Sequence, residues 1–247
     1  MSLSRDQAIV LRTLKLGEAD RIITLLTKEH GRIRAVAKGV RRTKSKFGAR
    51  LEPGSMVEIQ LYSPPAGKKG MEIVTQAESI SNYGEEIAQD YQSWTVLHAM
   101  IEAVEKLTNN EYEKSVEQFN LFSNALAALA QKRYETTLIL DAYLLRALSL
   151  AGFAPALKNC SVCEKPGPHK YFSLSGGGLI CGDCKTSAAA NVSQPTLELL
   201  QSLISGDWEV AKEISPRYRT EGSGLIAAYL QWHLEHGLKT LSHVERK

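Results

Sequence analysis

AIVLRTLKLGEADRIITLLTKEHGRIRAVAKG, residues 8–39, decides how the first third of this 247-residue chain is read. Ala8–Leu16 is rich in β-branched and aliphatic residues, and GEAD follows with Gly17 and Asp20 at turn positions. RIITLLTK (21–28) and GRIRAVAKG (31–39) are two further runs, split by a turn at Glu29-His30-Gly31. In the third run Ile33 and Val36 sit among Arg32, Arg34 and Lys38, so its alternation reads as imperfect. Beyond it, Gly54 and Ser55 lead into MVEIQLY (56–62). There Val57, Ile59 and Leu61 alternate with Glu58, Gln60 and Tyr62, the pattern of a half-buried strand. SPPAGKKG (63–70) is a turn-rich loop, and MEIVTQAESI (71–80) is a last strand. Five short strands in this span predict a small closed barrel of the OB type.

The period then changes. Ile87, Tyr91, Trp94, His98, Ile101 and Glu105 recur three or four apart, with Leu97, Val104 and Leu107 widening the stripe, which predicts an amphipathic helix. A second helix runs through Val116, Phe119, Leu126 and Leu129, with Asn109-Asn110 as its entry cap. A third spans about Tyr134 to Ala151 and stops at Gly152, with Pro155 beyond. Ser193 and Pro195 open a further helix, and the final one is carried by Leu225, Tyr229, Trp232 and Leu238. These stripes are read as core packing. The fold class expected is α+β and multidomain: an OB-fold barrel over 1–80, then an α-helical domain over 81–247 with a metal module at about 155–190.

Composition supports a globular chain, 43% hydrophobic and 23% charged. The N-terminus lacks the apolar region of a secretory signal. The most apolar stretch, TLILDAYLLRALSLAGF (137–153), is interrupted by Asp141 and Arg146 and is too short to span a bilayer. A soluble, cytoplasmic protein with no membrane partner is expected. Its charge is uneven: residues 1–80 hold 15 Lys/Arg against 8 Asp/Glu, whereas 81–247 hold 15 against 19. A polyanion contact therefore belongs on the first part.

That contact is narrowed by Gly31–Arg50, which carries eight cations and no acid: Arg32, Arg34, Lys38, Arg41, Arg42, Lys44, Lys46 and Arg50. A charge run is usually a solvated surface. This one lies between barrel strands, is unbalanced by acids, and contains Gly39, Ser45 and Gly48, where a backbone can approach phosphates. It is read as a nucleic-acid surface. Residues 1–80 have only Phe47 and Tyr62 as aromatics, so base stacking is expected to be minor. Phosphate contacts should dominate, salt dependent and weakly sequence selective, on single and double strands alike.

All four cysteines fall within 25 residues, as CSVC (160–163) and CGDC (181–184). Paired C-x2-C knuckles at this spacing predict one structural zinc held by Cys160, Cys163, Cys181 and Cys184. A full shell of four thiolates leaves no position for substrate water. Two disulfides would need an oxidising compartment, and a redox CxxC normally comes singly. His169 is read as a loop residue rather than a substitute ligand. His233 and His236 lack the HExxH pattern and are read as a solvent-facing pair. Gly177 and Gly182 have P-loop separation, but Asp183 and Cys184 follow where Lys and Ser/Thr are required. No dinucleotide fingerprint, catalytic triad or carboxylate cluster is legible, so no catalytic residue and no small-molecule substrate are assigned. A nuclease site assembled from distant carboxylates, or a zinc-ribbon module acting on RNA or in transcription, are the alternatives.

GEADRIITLLTKEHGRIRAVAKGVRR (17–42), GFAPALKNCSVC (152–163) and KYFSLSGGGLICGDC (170–184) resemble the bacterial RecO family of recombination mediators, and the likeness covers almost the whole chain. The resemblance implies an OB-fold, a helical domain and a zinc module. It also implies a non-enzymatic role in repair of single-strand gaps and breaks. Family members bind single- and double-stranded DNA, anneal complementary strands and, with RecR, help load RecA on strands coated by single-strand-binding protein, whose acidic tail they contact. By this likeness the four cysteines are the metal ligands, the Arg32–Arg50 cluster is the DNA surface, and the protein is nucleoid-associated.

Overall fold

The computed structural model describes residues 2–65, 70–108, 111–234 and 237–245. Two compact units result, Met1–Leu97 with Thr108–Gln131, and His98–Leu107 with Lys132–Lys247.

In the first unit, β1 (Ser2–Leu16), β2 (Asp20–Thr27), β3 (Gly31–Ala37), β4 (Met56–Ser63) and β5 (Glu72–Ser81) close a barrel in the order β1-β2-β3-β5-β4. Neighbours are antiparallel except β3 and β5, a short parallel pair at Ala35–Glu72 and Val36–Ile73. β1 is long enough to pair with β4 through its first half and with β2 through its second, which is how one strand closes the ring. The strand order is consistent with the OB expectation. The alternation of β3 is regular rather than imperfect. Ile33, Ala35 and Ala37 fill the barrel interior, and Arg32, Arg34 and Val36 point out. Alanine is a weak hydrophobic signal in a sequence, yet its small side chain suits the narrow inside of a five-stranded barrel.

Part of the barrel's outer face is buried as well. Ile9 and Leu26 are cross-strand partners outside the barrel core and fully buried. Met56 pairs with Ile9 and meets Ser123 of the helix α3 (Val116–Ala130) at 3.4 Å. A short helix α1 (Tyr83–Ile87) precedes α2 (Tyr91–Leu107). One continuous helix from Ile87 is therefore not what forms. Asp90 restarts the chain as a cap, accepting from the Ser93 backbone N–H at 2.8 Å and its hydroxyl at 2.6 Å. Gly31 has φ +69° and lies so close to the Glu113 carbonyl (2.0 Å from a Cβ placed there) that no side chain fits. This lets residues 111–113 run along β3, with Glu111 bridged to Arg32.

The second unit is built on α4 (Thr136–Leu150), which is buried on nearly every face, and on α5 (Gln194–Ser205), α6 (Trp208–Glu213) and α7 (Pro216–His233). An all-round apolar helix must be covered on all sides, and its one buried acid, Asp141, accepts from the Ser223 hydroxyl of α7. Gly206, at φ 87°, ends α5, and Asp207 caps α6 through the Val210 N–H at 3.2 Å. α7 stops at His233, so Leu238 is not on it. That residue is buried just before a 3-10 turn, Lys239–His243, whose backbone N–H groups at Lys239 and Thr240 bond Glu102. Trp232 is 58% exposed and does not join the core. Asn109-Asn110 and His236 lie outside the described residues. Among the described residues no helix is long and apolar enough to cross a membrane.

Candidate nucleic-acid interface and metal centre

The eight cations of the basic run divide between strand and loop. Arg32 and Arg34 stand on the outer face of β3, Lys38, Arg41, Arg42, Lys44 and Lys46 lie in the β3–β4 connection, and Arg50 lies in a 3-10 turn, Gly48–Leu51. This connection is not a loose solvated loop. Val40, Phe47 and Leu51 are buried with the barrel core, Phe47 at 1% exposure. Phe47 is thus an anchor, not a ring for stacking bases. Backbone bonds add to this hold. Asp20 accepts the Gly39 N–H at 2.7 Å, and the Arg41 N–H reaches the Ala19 carbonyl at 2.9 Å.

Several of the cations help to fasten the connection. Arg41 donates to the Glu18 carbonyl at 2.9 Å and to that of Gly17 at 3.3 Å. Lys46 donates to the Thr75 carbonyl at 2.6 Å, and Arg50 to the Lys46 carbonyl at 2.9 Å. By contrast Arg34, Lys38, Arg42 and Lys44 are exposed, and their side chains have no hydrogen bond or ion pair among the described residues. Two nearby acids are occupied, Asp20 by Gly39 and Glu52 by Arg21 at 2.6 Å. The result is a rigid mount carrying four uncompensated cations. An open groove of about 450 Å³ runs along Ser45–Arg50, Ser79 and Asn82.

Sequence reasoning missed Arg12. It pairs with Thr24, which pairs with Arg34, so the two arginines flank one outward position. Only the cross-strand register reveals this. Tyr112, 55% exposed at the edge of β3, also escaped a count confined to the first 80 residues. Burial, with Glu72 and Glu111 nearby, holds its phenol above the usual range, so its surroundings are acidic and unsuited to phosphate.

In the second unit, β6 (Tyr171–Ser173), β7 (Gly178–Ile180) and β8 (Ala190–Asn191) form a small sheet in the order β7-β6-β8. Cys181 and Cys184 follow β7, and Cys160 and Cys163 form the other knuckle, closed by the Cys160 N–H on the Lys165 carbonyl at 2.9 Å. The four sulfurs all lie within 4.8 Å of one another. The Cys163–Cys181 separation is 3.7 Å, against about 3.8 Å for the edge of a tetrahedron with metal–sulfur bonds of about 2.3 Å. The donor set therefore fits a metal ion. Cys160 and Cys181 are buried, Cys184 is half-buried and Cys163 is exposed. Burial opposes ionisation of Cys160, but the backbone N–H groups of Cys163, Cys181 and Val162 outweigh it and bring the thiol down to about 6. The neighbouring Cys163 and Cys181 thiols push Cys184 up to about 12. One thiolate is welcome here, and four are tolerable only around a cation. Among the described residues this is the one group of three or more His, Cys, Asp or Glu that could hold a metal.

His169 is half-buried and donates through Nε2 to the Lys165 carbonyl at 2.8 Å, outside the sulfur cluster. His233 is not solvent-facing. Its ring packs on Phe153 at 4.6 Å and Tyr229 at 4.4 Å, and burial lowers its pKa.

Comparison with known proteins agrees across both units. A family model described as Recombination protein O N terminal matches residues 1–83, and one described as Recombination protein O C terminal matches 88–242. Proteins named DNA repair protein RecO are similar over their full lengths and all of this chain, with 52% identity in Streptomyces avermitilis, 52% in Streptomyces coelicolor and 48% in Thermobifida fusca. This chain belongs to the Recombination protein O family of DNA repair proteins.

Proposed function

We propose that this protein is a non-enzymatic recombination mediator. It binds single- and double-stranded DNA through its N-terminal OB-type barrel and anneals complementary strands. With RecR it helps load RecA on DNA coated by single-strand-binding protein, during repair of gaps and breaks. The DNA surface is Arg32, Arg34, Lys38, Arg41, Arg42, Lys44, Lys46 and Arg50. One structural Zn²⁺ is held by Cys160, Cys163, Cys181 and Cys184. Residues 1–80 carry the DNA contact. Residues 81–247 carry the zinc module and the protein contacts, including the acidic tail of single-strand-binding protein. The protein works in the cytoplasm on the nucleoid.

The observation that carries this reading is the rigid mount of the basic connection, which presents four uncompensated cations. Two DNA strands repel each other, and annealing requires their phosphates to be neutralised side by side. A surface of fixed cations does this without nucleotide hydrolysis. The test is annealing of complementary strands, bare and coated with single-strand-binding protein, with and without RecR and in the absence of ATP. Acceleration on both substrates, greater with RecR on the coated strands, supports the reading. No acceleration, or cleavage of the strands in Mg²⁺ or Mn²⁺, contradicts it.

A further inference from the structure

The outer face of the barrel is not polar throughout. Leu14 pairs with Ile22, Ile22 with Val36, and Val36 with Ile73. Ile23 on β2, Ala35 and Ala37 on β3, and Val74 on β5 point into the barrel core, so the residues alternating with them point outward. Four neighbouring strands thus place one apolar side chain each in a single row about 14 Å long, three inter-strand steps. Leu14 is 55% exposed, and Ile22, Val36 and Ile73 are partly exposed. The contrast with the opposite end is informative. There the outward Ile9 and Leu26 are fully buried. At this end the described residues leave the row open.

Cations border the row. Arg12 and Arg34 lie one outward position to one side, across Thr24. Lys38 follows Val36 two residues on, and Arg42 and Lys44 continue beyond it. The side chains of Arg34, Lys38, Arg42 and Lys44 have no hydrogen-bond or ion-pair partner among the described residues, whereas Asp20 beside them is taken by the Gly39 N–H. An apolar strip edged by cations, four of them with free side chains, complements a single nucleic-acid strand. Its unpaired bases offer flat apolar faces, and its phosphates run beside them. In a duplex those faces are stacked inside and only the phosphates are available.

We propose that the Leu14–Ile22–Val36–Ile73 row is a seat for unpaired bases, which makes this surface bind single strands more tightly than its phosphate contacts alone allow. The proposal rests on the DNA-binding reading above and adds a selectivity element to it. Contact with bases removes apolar area from water and releases no counterions. It therefore raises affinity without changing the salt slope, unlike the cations.

The test is Ile22→Thr with Val36→Thr in the full chain, which keeps β-branching on both strands. The probes are an oligothymidylate and a blunt duplex, each titrated over a range of salt. Single-strand binding should weaken about ten-fold, as loss of base contacts does, with the duplex affinity and both salt slopes unchanged. Should the double variant lose its thermal transition, Leu14→Thr alone, at an exposed position, should weaken oligothymidylate binding about three-fold. Unchanged single-strand affinity, or equal weakening on both probes in a folded variant, overturns the proposal. So does a change confined to self-association in sedimentation, which would make the row a contact between copies. Replacing the four free cations by alanine separates the two ideas. If that leaves both probes unaffected, the DNA-binding reading itself fails. If it weakens both while the threonine variants are silent, only the base seat fails.

Discussion

The basic connection of the barrel and the four-cysteine segment solve the same problem in opposite ways. Each is a stretch rich in turns that must hold charged groups in fixed places. The connection drives Val40, Phe47 and Leu51 into an existing core and is tied to backbone carbonyls through Arg41 and Lys46, which leaves Lys38, Arg42 and Lys44 free. At its knuckles the cysteine segment has a small cluster of Cys160, Ile180 and Cys181, with Tyr171, Cys184 and Ala189 against it. Leu157, Phe172 and Leu179 are buried elsewhere in the segment, but at the knuckles themselves two of the four ligands make up most of the buried cluster. The connection's apolar anchors leave charges for a partner, whereas the knuckles turn their reactive groups inward on a metal.

The largest effect expected from this contrast is at the cysteines. Cys181→Ser should lower zinc from about one atom per chain to near none, because structural sites of this type derive about 10 kcal/mol or more of folding energy from the metal. Elemental analysis and hydrogen exchange across residues 155–190 read this out, and DNA affinity should be preserved. Absence of zinc from freshly purified, reduced wild type would end the account of this region.

Next in size is Phe47→Ala. A fully buried ring truncated to alanine costs about 3–5 kcal/mol, which denaturant unfolding of the first unit measures. Wild-type stability in this variant would show that the connection is a surface loop after all. Arg41→Ala should cost less, about 1 kcal/mol for bonds to exposed carbonyls. It should weaken DNA binding mainly by loosening the connection, so Arg41→Lys, which keeps the charge but not the guanidinium geometry, should rescue the salt slope better than the affinity.

The smallest effect is on pH. Burial lowers the pKa of His233 in the folded state, so the unfolded chain binds more protons near this value. Stability is complete above the unfolded pKa of about 6.5 and falls as pH drops below it. His233→Gln should shrink the fall in melting temperature between pH 7.5 and pH 5.5. An identical fall in both proteins would remove His233 from the explanation.

Much of this was legible in the sequence, for identifiable reasons. Strict alternation in Val57–Tyr62 and the turn glycines marked the strands, and the paired CxxC spacing marked the ligands that the fold brings together. What was not legible depended on partners distant in the chain. Phe47 lies among lysines and arginines, and nothing local says that it turns inward. Residues 108–131 look like part of the helical region, yet they join the compact unit of the barrel. The apolar row at Leu14–Ile73 is one residue per strand, visible only once register is known. His233 looks exposed because its neighbours Phe153 and Tyr229 come from elsewhere or from one helical turn away.

The most direct test of the central claim is the salt dependence of DNA binding when Arg34, Lys38, Arg42 and Lys44 are replaced together by alanine. If each of the four meets a phosphate, the plot of log affinity against log salt should flatten by about 2.8 on single strands and about 3.6 on duplex. Annealing should fall in parallel, while zinc content and the thermal transition stay as in wild type. Unchanged affinity and slope on both substrates would mean that these cations only face solvent, and that the DNA surface lies elsewhere on the molecule.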